Sequence, residues 1–214
     1  MSQKKSSHIW IREHQKDIYV KQALLKKLRS RAWFKLKELD QRDNLIKKKM
    51  CILDLGSSPG SWSKYAVKKI NYRNKVIACD IRPMKFIPGV NFVQGDIQNK
   101  HFLNTFIKYL NSKKINLIMS DMAPNISGNS YIDTALSIKL AQLAFFICQS
   151  VLIYQGDFIV KVFQGDNLNE YLQIIKNFFL KVKIRKPNSS KTRSKELYIV
   201  AKGWIKKNFS LLSF

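Results

Sequence analysis

From residue 50 onward, short apolar runs of strand length alternate with longer stretches in which apolar residues recur at helical spacing. The strands predicted in this part of the chain are 50–55, 75–80, 90–93, 115–120 and 157–163. The helices predicted between or after them are 62–70, 102–110, 132–152 and 168–179. Such alternation is typical of right-handed βαβ units, so we expect an α/β fold built on a largely parallel sheet.

The two ends of the chain depart from this alternation. Two helical patterns, 18–28 and 32–45, precede the first strand. Near the other end, the apolar segments 180–185 and 197–202 flank the basic loop 186–196, which is too short to hold a crossover helix. We therefore expect these two segments to pair as antiparallel strands, which brings the predicted sheet to seven strands with helices on both faces.

The predicted organisation is a single domain over residues 17–203. A polar, basic and flexible arm, 1–16, precedes the domain, and a short tail, 204–214, follows it. We assign no role to the tail.

The chain carries 39 lysine and arginine residues against 14 acidic ones, a formal net charge of +25 in 214 residues. Basic side chains gain affinity for phosphates largely through counterion release, so this excess predicts a polyanionic partner such as a nucleic acid. The chain is also rich in Lys, Asn and Ile, as expected of an A+T-rich genome, and part of the charge has that alternative origin.

No apolar run of the sequence reaches the ~20 residues needed to cross a bilayer, and segment 1–16 lacks the apolar core of a secretory signal. Cys51, Cys79 and Cys148 lie in apolar surroundings without CxxC spacing, and the histidines form no ligand cluster. We therefore expect a cytoplasmic protein with reduced thiols, without a metal site and without a membrane partner.

The segment 54–62, Asp-Leu-Gly-Ser-Ser-Pro-Gly-Ser-Trp, follows a predicted buried strand and opens a helix. A glycine turn there lets the backbone approach a ligand at the carboxyl end of a strand, where open α/β sheets bind ligands. The segment is not the G-x-G-x-x-G fingerprint, and Pro59 removes a backbone N–H that a pyrophosphate would use. A dinucleotide is therefore disfavoured, and a ligand with an adenosine and a cationic centre fits better.

Acidic residues end three later strands. Asp80 lies at the spacing where a carboxylate accepts ribose hydroxyls, Asp96 is placed to accept from an adenine amino group, and Asp121 ends the fourth strand. Each could instead be a helix cap or turn residue. Their recurrence at successive strand ends favours a ligand site, while Trp62 is equally suited to the core or to flanking a cofactor.

Two lysines and a glutamate suggest a catalytic group. Lys161 lies within the apolar strand 157–163, where burial disfavours a charged amine, so we expect it to accept a proton in its neutral form. The alternative is an edge-strand lysine that reaches solvent. Lys35 lies among bulky apolar residues on a helix before the sheet. If it lies near Lys161, repulsion between the two positive charges would disfavour the charged form of Lys161. Glu196 opens the last strand.

These segments resemble the FtsJ-type ribose 2′-O-methyltransferases, and within them the enzymes that act on large-subunit ribosomal RNA. The resemblance covers the chain from about residue 12 to about residue 202. The matching segments are 28–36 (LRSRAWFKL), 54–62 (DLGSSPGSW), 120–125 (SDMAPN), 160–165 (VKVFQG) and the stretch from Arg185-Lys186-Pro187 to Glu196-Leu197-Tyr198. The departures are small: Ser57, Ser58 and Ser61 stand where the family often has alanine and glycine.

The resemblance implies a Rossmann-like class I methyltransferase that uses S-adenosyl-L-methionine, without a metal, on a uridine of 23S ribosomal RNA in the large ribosomal subunit. The family's catalytic Lys-Asp-Lys-Glu tetrad falls on Lys35, Asp121, Lys161 and Glu196, with Lys161 as general base. Its cofactor positions fall on Gly60, Trp62, Asp80, Asp96 and Asp121. A monomer is implied as well.

Two groups of basic residues flank the proposed site, so we expect RNA to bind on that face. The groups are Lys4, Lys5, Arg12, Lys16, Lys26, Lys27, Arg29 and Arg31, and Lys181, Lys183, Arg185, Lys186, Lys191, Arg193 and Lys195. Three alternatives remain open: a methyltransferase of transfer RNA or of the messenger cap, a non-catalytic RNA-binding ribosome-assembly factor, and a nucleotide-dependent oxidoreductase. The tetrad argues against the assembly factor, and the missing G-x-G-x-x-G against the oxidoreductase.

Overall fold

A computed structural model of the protein describes residues 17–71 and 75–205. The predicted arm 1–16 and residues 206–214 of the predicted tail lie outside the described residues. The helices are α1 Ile18–Leu25, α2 Ala32–Asp43, α3 Ser61–Ile70, α4 Lys100–Asn111, α5 Ser130–Val151 and α6 Leu168–Lys176. The strands are β1 Ile52–Leu55, β2 Val76–Asp80, β3 Val90–Gln94, β4 Ile115–Ser120, β5 Leu152–Phe163, β6 Phe179–Arg185 and β7 Glu196–Trp204.

The strands form one seven-stranded sheet in the order β3-β2-β1-β4-β5-β7-β6. Strands β1 to β5 are parallel, and β7 is antiparallel to both of its neighbours, β5 and β6. The predicted α/β fold, with a mostly parallel sheet and an antiparallel closing pair, is confirmed. The carboxyl ends of β1, β2, β4 and β5 therefore share one edge of the sheet, and the amino end of β7 lies at the same edge beside β5.

Helices cover both faces of the sheet. Successive strand residues point to opposite sides, so each strand contributes apolar side chains to both faces. In β1, Ile52 packs into the core on the side of α2 and α3, whereas its neighbour Leu53 packs into the core on the side of α4, α5 and α6. Both side chains are fully buried. This pattern fixes the register, since a slip by one residue would exchange the two faces.

Strand β5 is longer than the predicted strand 157–163, because it begins at Leu152 directly after α5. Its first part contains Gln155, whose φ of 58° is left-handed, and its pairing with β4 shifts between Ile115 and Leu117. The sequence Gln155-Gly156-Asp157 resembles a turn, so the continuation of the strand through it could not be predicted.

Helix α5 is long and apolar enough to cross a membrane by length and composition alone, and half of its most apolar stretch is buried in the fold. It contacts β4 and β5 as the crossover helix between them. The apolar composition is that expected of a helix that buries one face against a sheet.

Candidate active site

The glycine turn after β1 has a backbone conformation that residues with a side chain rarely adopt. Gly56 has a φ of 70°, and an added Cβ would lie 2.9 Å from the backbone nitrogen of Met122. Gly60 has a φ of 99° directly before α3, and an added Cβ would lie 2.7 Å from side-chain atoms of Met84 and Ile87. The turn thus brings backbone close to the loops after β2 and β4, and the first N–H groups of α3 have no acceptor within the helix.

The three acidic residues predicted at strand ends lie at one edge of the sheet. Asp80 accepts hydrogen bonds from the backbone N–H groups of Ser58, at 2.8 Å, and of Arg82, at 2.8 Å, so it also holds the glycine turn. Asp96 is exposed after β3 and accepts from the N–H of Gln98 at 2.9 Å. Asp121 follows β4 directly. The turn role considered for these residues is therefore present at Asp80 and Asp96, and it leaves lone pairs on both carboxylates for a ligand.

The side chain of Trp62 lies in the core, since the residue is only 2% exposed. Its Nε1–H donates to the carbonyl oxygen of Ala32 at 2.9 Å, and its ring lies 5.7 Å from that of Tyr198, centroid to centroid. Of the two roles predicted for Trp62, the structure shows core packing. A contact to a cofactor would come from its backbone N–H in the first turn of α3.

Lys161 is paired with Asp121. Its Nζ lies 2.6 Å from the carbonyl oxygen of Asp121 and 3.1 Å from Oδ1 of the same residue. Lys161 is 7% exposed and lies on the interior strand β5, so it is not an edge lysine that reaches freely into solvent. Tyr198, opposite Lys161 on β7, donates its hydroxyl to Asp121 Oδ1 at 2.8 Å.

The remaining two tetrad residues form a second ion pair. Lys35 Nζ lies 2.6 Å from Oε1 of Glu196, and both side chains are largely buried. The hydroxyl of Ser190 donates to the same oxygen at 2.7 Å. The structure therefore brings together helix α2, the loop after β4, the end of β5 and the start of β7, as the four predicted catalytic residues require.

Comparison with known proteins identifies the family of this chain. The model of the FtsJ-like methyltransferase family matches residues 28–204, which include the glycine turn and all four tetrad residues. The chain belongs to the FtsJ-like methyltransferases. The FtsJ-like chain is also similar to a Plasmodium falciparum protein of known crystal structure that is provisionally described as a ribosomal RNA methyltransferase. The two are 34% identical, with a TM-score of 0.73, and the match covers 82% of this chain and 98% of that chain.

The charges of the FtsJ-like site act on Asp121. Burial raises the pKa of this carboxyl, but the neighbouring charges of Lys161 and Lys35, with hydrogen bonds from Tyr198 and Lys161, outweigh it and leave the pKa below its ordinary value. Burial, followed by the charges of Asp121 and Glu196, raises the pKa of Tyr198 well above its ordinary value. Asp121 is therefore ionised and Tyr198 is a neutral donor at neutral pH, so a carboxylate faces Lys161.

The glycine-turn side of the FtsJ-like site contains polar atoms that suit a bound molecule. Asp54 Oδ1 and Ser57 Oγ are buried, and neither has a hydrogen-bond partner within residues 17–71 and 75–205. The pKa of Asp54 is raised to about 7, mainly by burial and to a lesser extent by the charges of Asp121 and Asp80. The glycine cradle and the acidic strand ends fit S-adenosylmethionine, which the family uses: carboxylates suit its hydroxyl and amino groups, and N–H groups at a helix start suit its carboxylate.

Prediction from the sequence missed a set of contacts that hold the loop between β6 and β7 on α2. Glu38 accepts from the backbone N–H groups of Asn188, at 2.6 Å, and of Ser189, at 3.1 Å. Arg31 donates to the carbonyl oxygen of Ser189 and also to Asp17. We name these contacts the Glu38–Arg31 clasp. The clasp fixes the loop that contains Ser190, and Ser190 in turn holds Glu196. It could not be predicted, because no local pattern shows contacts between residues about 150 positions apart.

Arg29 was predicted as part of an RNA-binding group, but the structure shows it bound to backbone. Its guanidinium donates to the carbonyl oxygens of Pro59, Lys85 and Phe86 at 2.8, 2.7 and 2.7 Å. It thus joins the glycine turn to the loop after β2. Arg185, from the same prediction, forms an ion pair with Asp43 and is also committed to the fold.

In the part of the chain that the structure describes, no group of three His, Cys, Asp or Glu residues is placed to hold a metal ion. The three cysteines are free and buried.

Proposed function

We propose that this FtsJ-like methyltransferase transfers a methyl group from S-adenosylmethionine to a ribose 2′-hydroxyl of RNA. The observation on which the proposal depends is the pairing of Lys161 with Asp121 and of Lys35 with Glu196 beside the glycine turn. A ribose hydroxyl is a weak nucleophile that must lose its proton as it reacts, and a lysine amine held against the hydroxyl is a candidate general base for that proton.

The residues that would hold the cofactor are the predicted ones. Asp80 would accept ribose hydroxyls, Asp96 would accept from the adenine amino group, and Asp121 would lie next to the methionine part. The backbone at Gly60 and Trp62 would donate N–H groups at the start of α3. The bound cofactor supplies a methyl group on a positively charged sulfur, which makes that methyl group electrophilic.

The protein's own residues supply alignment and proton transfer. The 2′-hydroxyl lies against Lys161, and Nζ in its neutral form takes the hydroxyl proton while Asp121 holds the amine in place through the 2.6 and 3.1 Å contacts. Solvent then removes the proton from Nζ. General bases of this kind contribute roughly 10²–10⁴-fold to a rate, and positioning of the two reactants contributes a further large factor.

Lys35 and Glu196 have a positioning role in this proposal. Lys35 is held by Glu196, so its amine is directed to one place at the edge of the site, where it orients the ribose or the neighbouring phosphate. Because Ser190 and Lys35 share one oxygen of Glu196, the β6–β7 loop and α2 are fixed relative to β7.

For the substrate, we propose a uridine of 23S ribosomal RNA in the large ribosomal subunit. The net charge of +25 supports a polyanion as partner, and the structural neighbour is described as a ribosomal RNA methyltransferase. The FtsJ-type resemblance supports the uridine, the 2′-hydroxyl and a monomeric enzyme. A 2′-hydroxyl target also distinguishes RNA from DNA.

The test is methyl transfer from labelled S-adenosylmethionine to isolated large ribosomal subunits that lack the modification. Free ribosomal RNA, transfer RNA and capped RNA are assayed in parallel. We expect label on the subunit, retained at one alkali-resistant ribose. Label only on transfer RNA or on the cap would replace the proposed substrate, and cofactor binding without label on any RNA would support an assembly factor instead.

A further inference from the structure

The first turn of α5 is held rigidly at the edge of the proposed site. Asn129 caps the helix by accepting from the backbone N–H groups of Tyr131, at 3.0 Å, and of Ile132, at 3.4 Å. Asp133 Oδ1 accepts from the N–H and the hydroxyl of Ser127, both at 2.8 Å, so the loop before the helix is fixed to its first turn.

This turn borders the residues that surround Glu196. The hydroxyl of Ser130 contacts Nζ of Lys195, the residue before Glu196. One helical turn later, Thr134 packs so closely on Gly165 that an added Cβ there would lie 2.5 Å from its Cγ2. The side of α5 next to Tyr131 therefore adjoins both the end of β5 and the start of β7.

Tyr131 projects from this turn into solvent. Its side chain is 76% exposed, and the nearby Ile126 and Ile132 are also exposed. Side chains on a helix tilt toward its N-terminus, which for α5 is the end that follows the Asp121 loop. The helical turn that contacts Lys195 through Ser130 therefore presents an aromatic ring to solvent.

We propose that Tyr131 is a stacking platform for an unpaired RNA base next to the target ribose, with Lys195 at the adjacent phosphate. This inference rests on the proposed RNA substrate. Specific recognition of RNA mostly targets unpaired nucleotides, whose splayed bases stack on aromatic side chains. Lys195, which contacts the same helical turn at Ser130, favours a polyanion over an apolar protein surface as the occupant.

Binding of single-stranded RNA tests the proposal without turnover. A fluorescent oligouridylate of ~12 nucleotides is compared with an abasic ribose-phosphate chain of equal length, which keeps the charge and lacks the bases. We expect Tyr131→Ala to weaken binding of the oligouridylate by about fivefold or more and to leave binding of the abasic chain unchanged. Tyr131→Phe keeps the ring and should restore native binding.

Tyr154→Ala is the matched control, because Tyr154 is 64% exposed near the amino end of β5, at the opposite edge of the sheet. It should change neither affinity. Equal loss of affinity for both chains in Tyr131→Ala would mean that Tyr131 contacts the RNA backbone, and it would overturn stacking. Unchanged affinity for both chains would also overturn the proposal. Because no methyl transfer is measured, failure of the proposed reaction and failure of the platform are separate results.

Discussion

Lys35 Nζ lies 2.6 Å from Oε1 of Glu196, so an ion pair joins a helix that precedes the sheet to one of its interior strands. Both residues are largely buried, so removing one partner alone would leave the other charge buried and uncompensated, which strongly destabilises the folded protein. The pair therefore determines where the amine of Lys35 lies.

Glu196→Gln tests this relationship, because it keeps the shape of the side chain and removes its charge. We expect kcat to fall about tenfold or more, since Lys35 loses its charged partner and its fixed position. Steady-state kinetics with RNA, together with the Kd for S-adenosylmethionine, measure the effect. An unchanged kcat in a folded variant would remove the ion pair from the mechanism.

Lys161→Met tests the general base. We expect kcat to fall by roughly 10²–10⁴-fold, the range that a general base contributes, while the Kd for S-adenosylmethionine changes little. Lys202→Met is the matched control, because Lys202 is also a strand lysine near an aspartate, 4.0 Å from Asp157, on the neighbouring strand β7. The methyl-transfer rate of Lys202→Met per folded molecule should equal that of the native protein. Full activity of Lys161→Met would exclude Lys161 as the general base.

Glu38→Ala tests the Glu38–Arg31 clasp. Removing the carboxylate frees the backbone N–H groups of Asn188 and Ser189, so we expect kcat to fall several-fold and the KM for RNA to rise, with cofactor affinity unchanged. Glu38→Gln retains one acceptor oxygen and should restore part of the activity. Glu170→Ala, an exposed glutamate in the first turn of α6, is the control and should behave as the native protein.

Much of the fold could be predicted because each element has a local signal. The alternation of apolar runs predicted five of the seven strands, and the two apolar segments that flank the basic loop 186–196 predicted the other two. The position of Lys161 inside an apolar run predicted its burial. The role of Trp62 could not be decided, since a core tryptophan and a ligand-flanking tryptophan have the same local sequence. The clasp could not be predicted either, because Glu38 and Ser189 meet only after α2 and the β6–β7 loop pack together.

Asp54 makes stability depend on pH. Burial raises its pKa to about 7 in the folded protein, against 3.8 for an ordinary aspartate. Between these values the unfolded chain loses a proton that the folded chain retains, so the contribution to stability falls as pH rises from about 4 to about 7 and is constant above. In Asp54→Asn this loss should be absent. The free energy of unfolding is measured by denaturant titration of both proteins at about pH 5 and about pH 8. Between these pH values it should fall by on the order of 2–3 kcal/mol more in the native protein than in Asp54→Asn. Parallel pH dependence would contradict a neutral Asp54.

Asp43 and Arg185 provide a stability test with the opposite sign. Arg185 donates to both carboxylate oxygens of Asp43 at 2.7 Å, and these hydrogen bonds, with nearby positive charges, hold the pKa of Asp43 below its ordinary value despite burial. The stability from this pair is present above the ordinary pKa and is lost as pH falls through the lower folded-state pKa. We expect Asp43→Asn to lower the free energy of unfolding by roughly 3 kcal/mol at neutral pH, because Arg185 is left without a charged partner. Asp166→Asn, at an exposed position, should change it by less than about 0.5 kcal/mol.

Strand β7 lies between β5 and β6, although it is the last of the described strands to leave the ribosome during synthesis. Until it inserts, β5 has an open edge where Lys161 lies, and Glu196 is absent from the side of Lys35. Completion of the sheet and completion of the proposed catalytic group are therefore one event. A chain whose synthesis has not reached β7 would therefore contain the glycine turn and Lys161 but lack the proposed catalytic geometry.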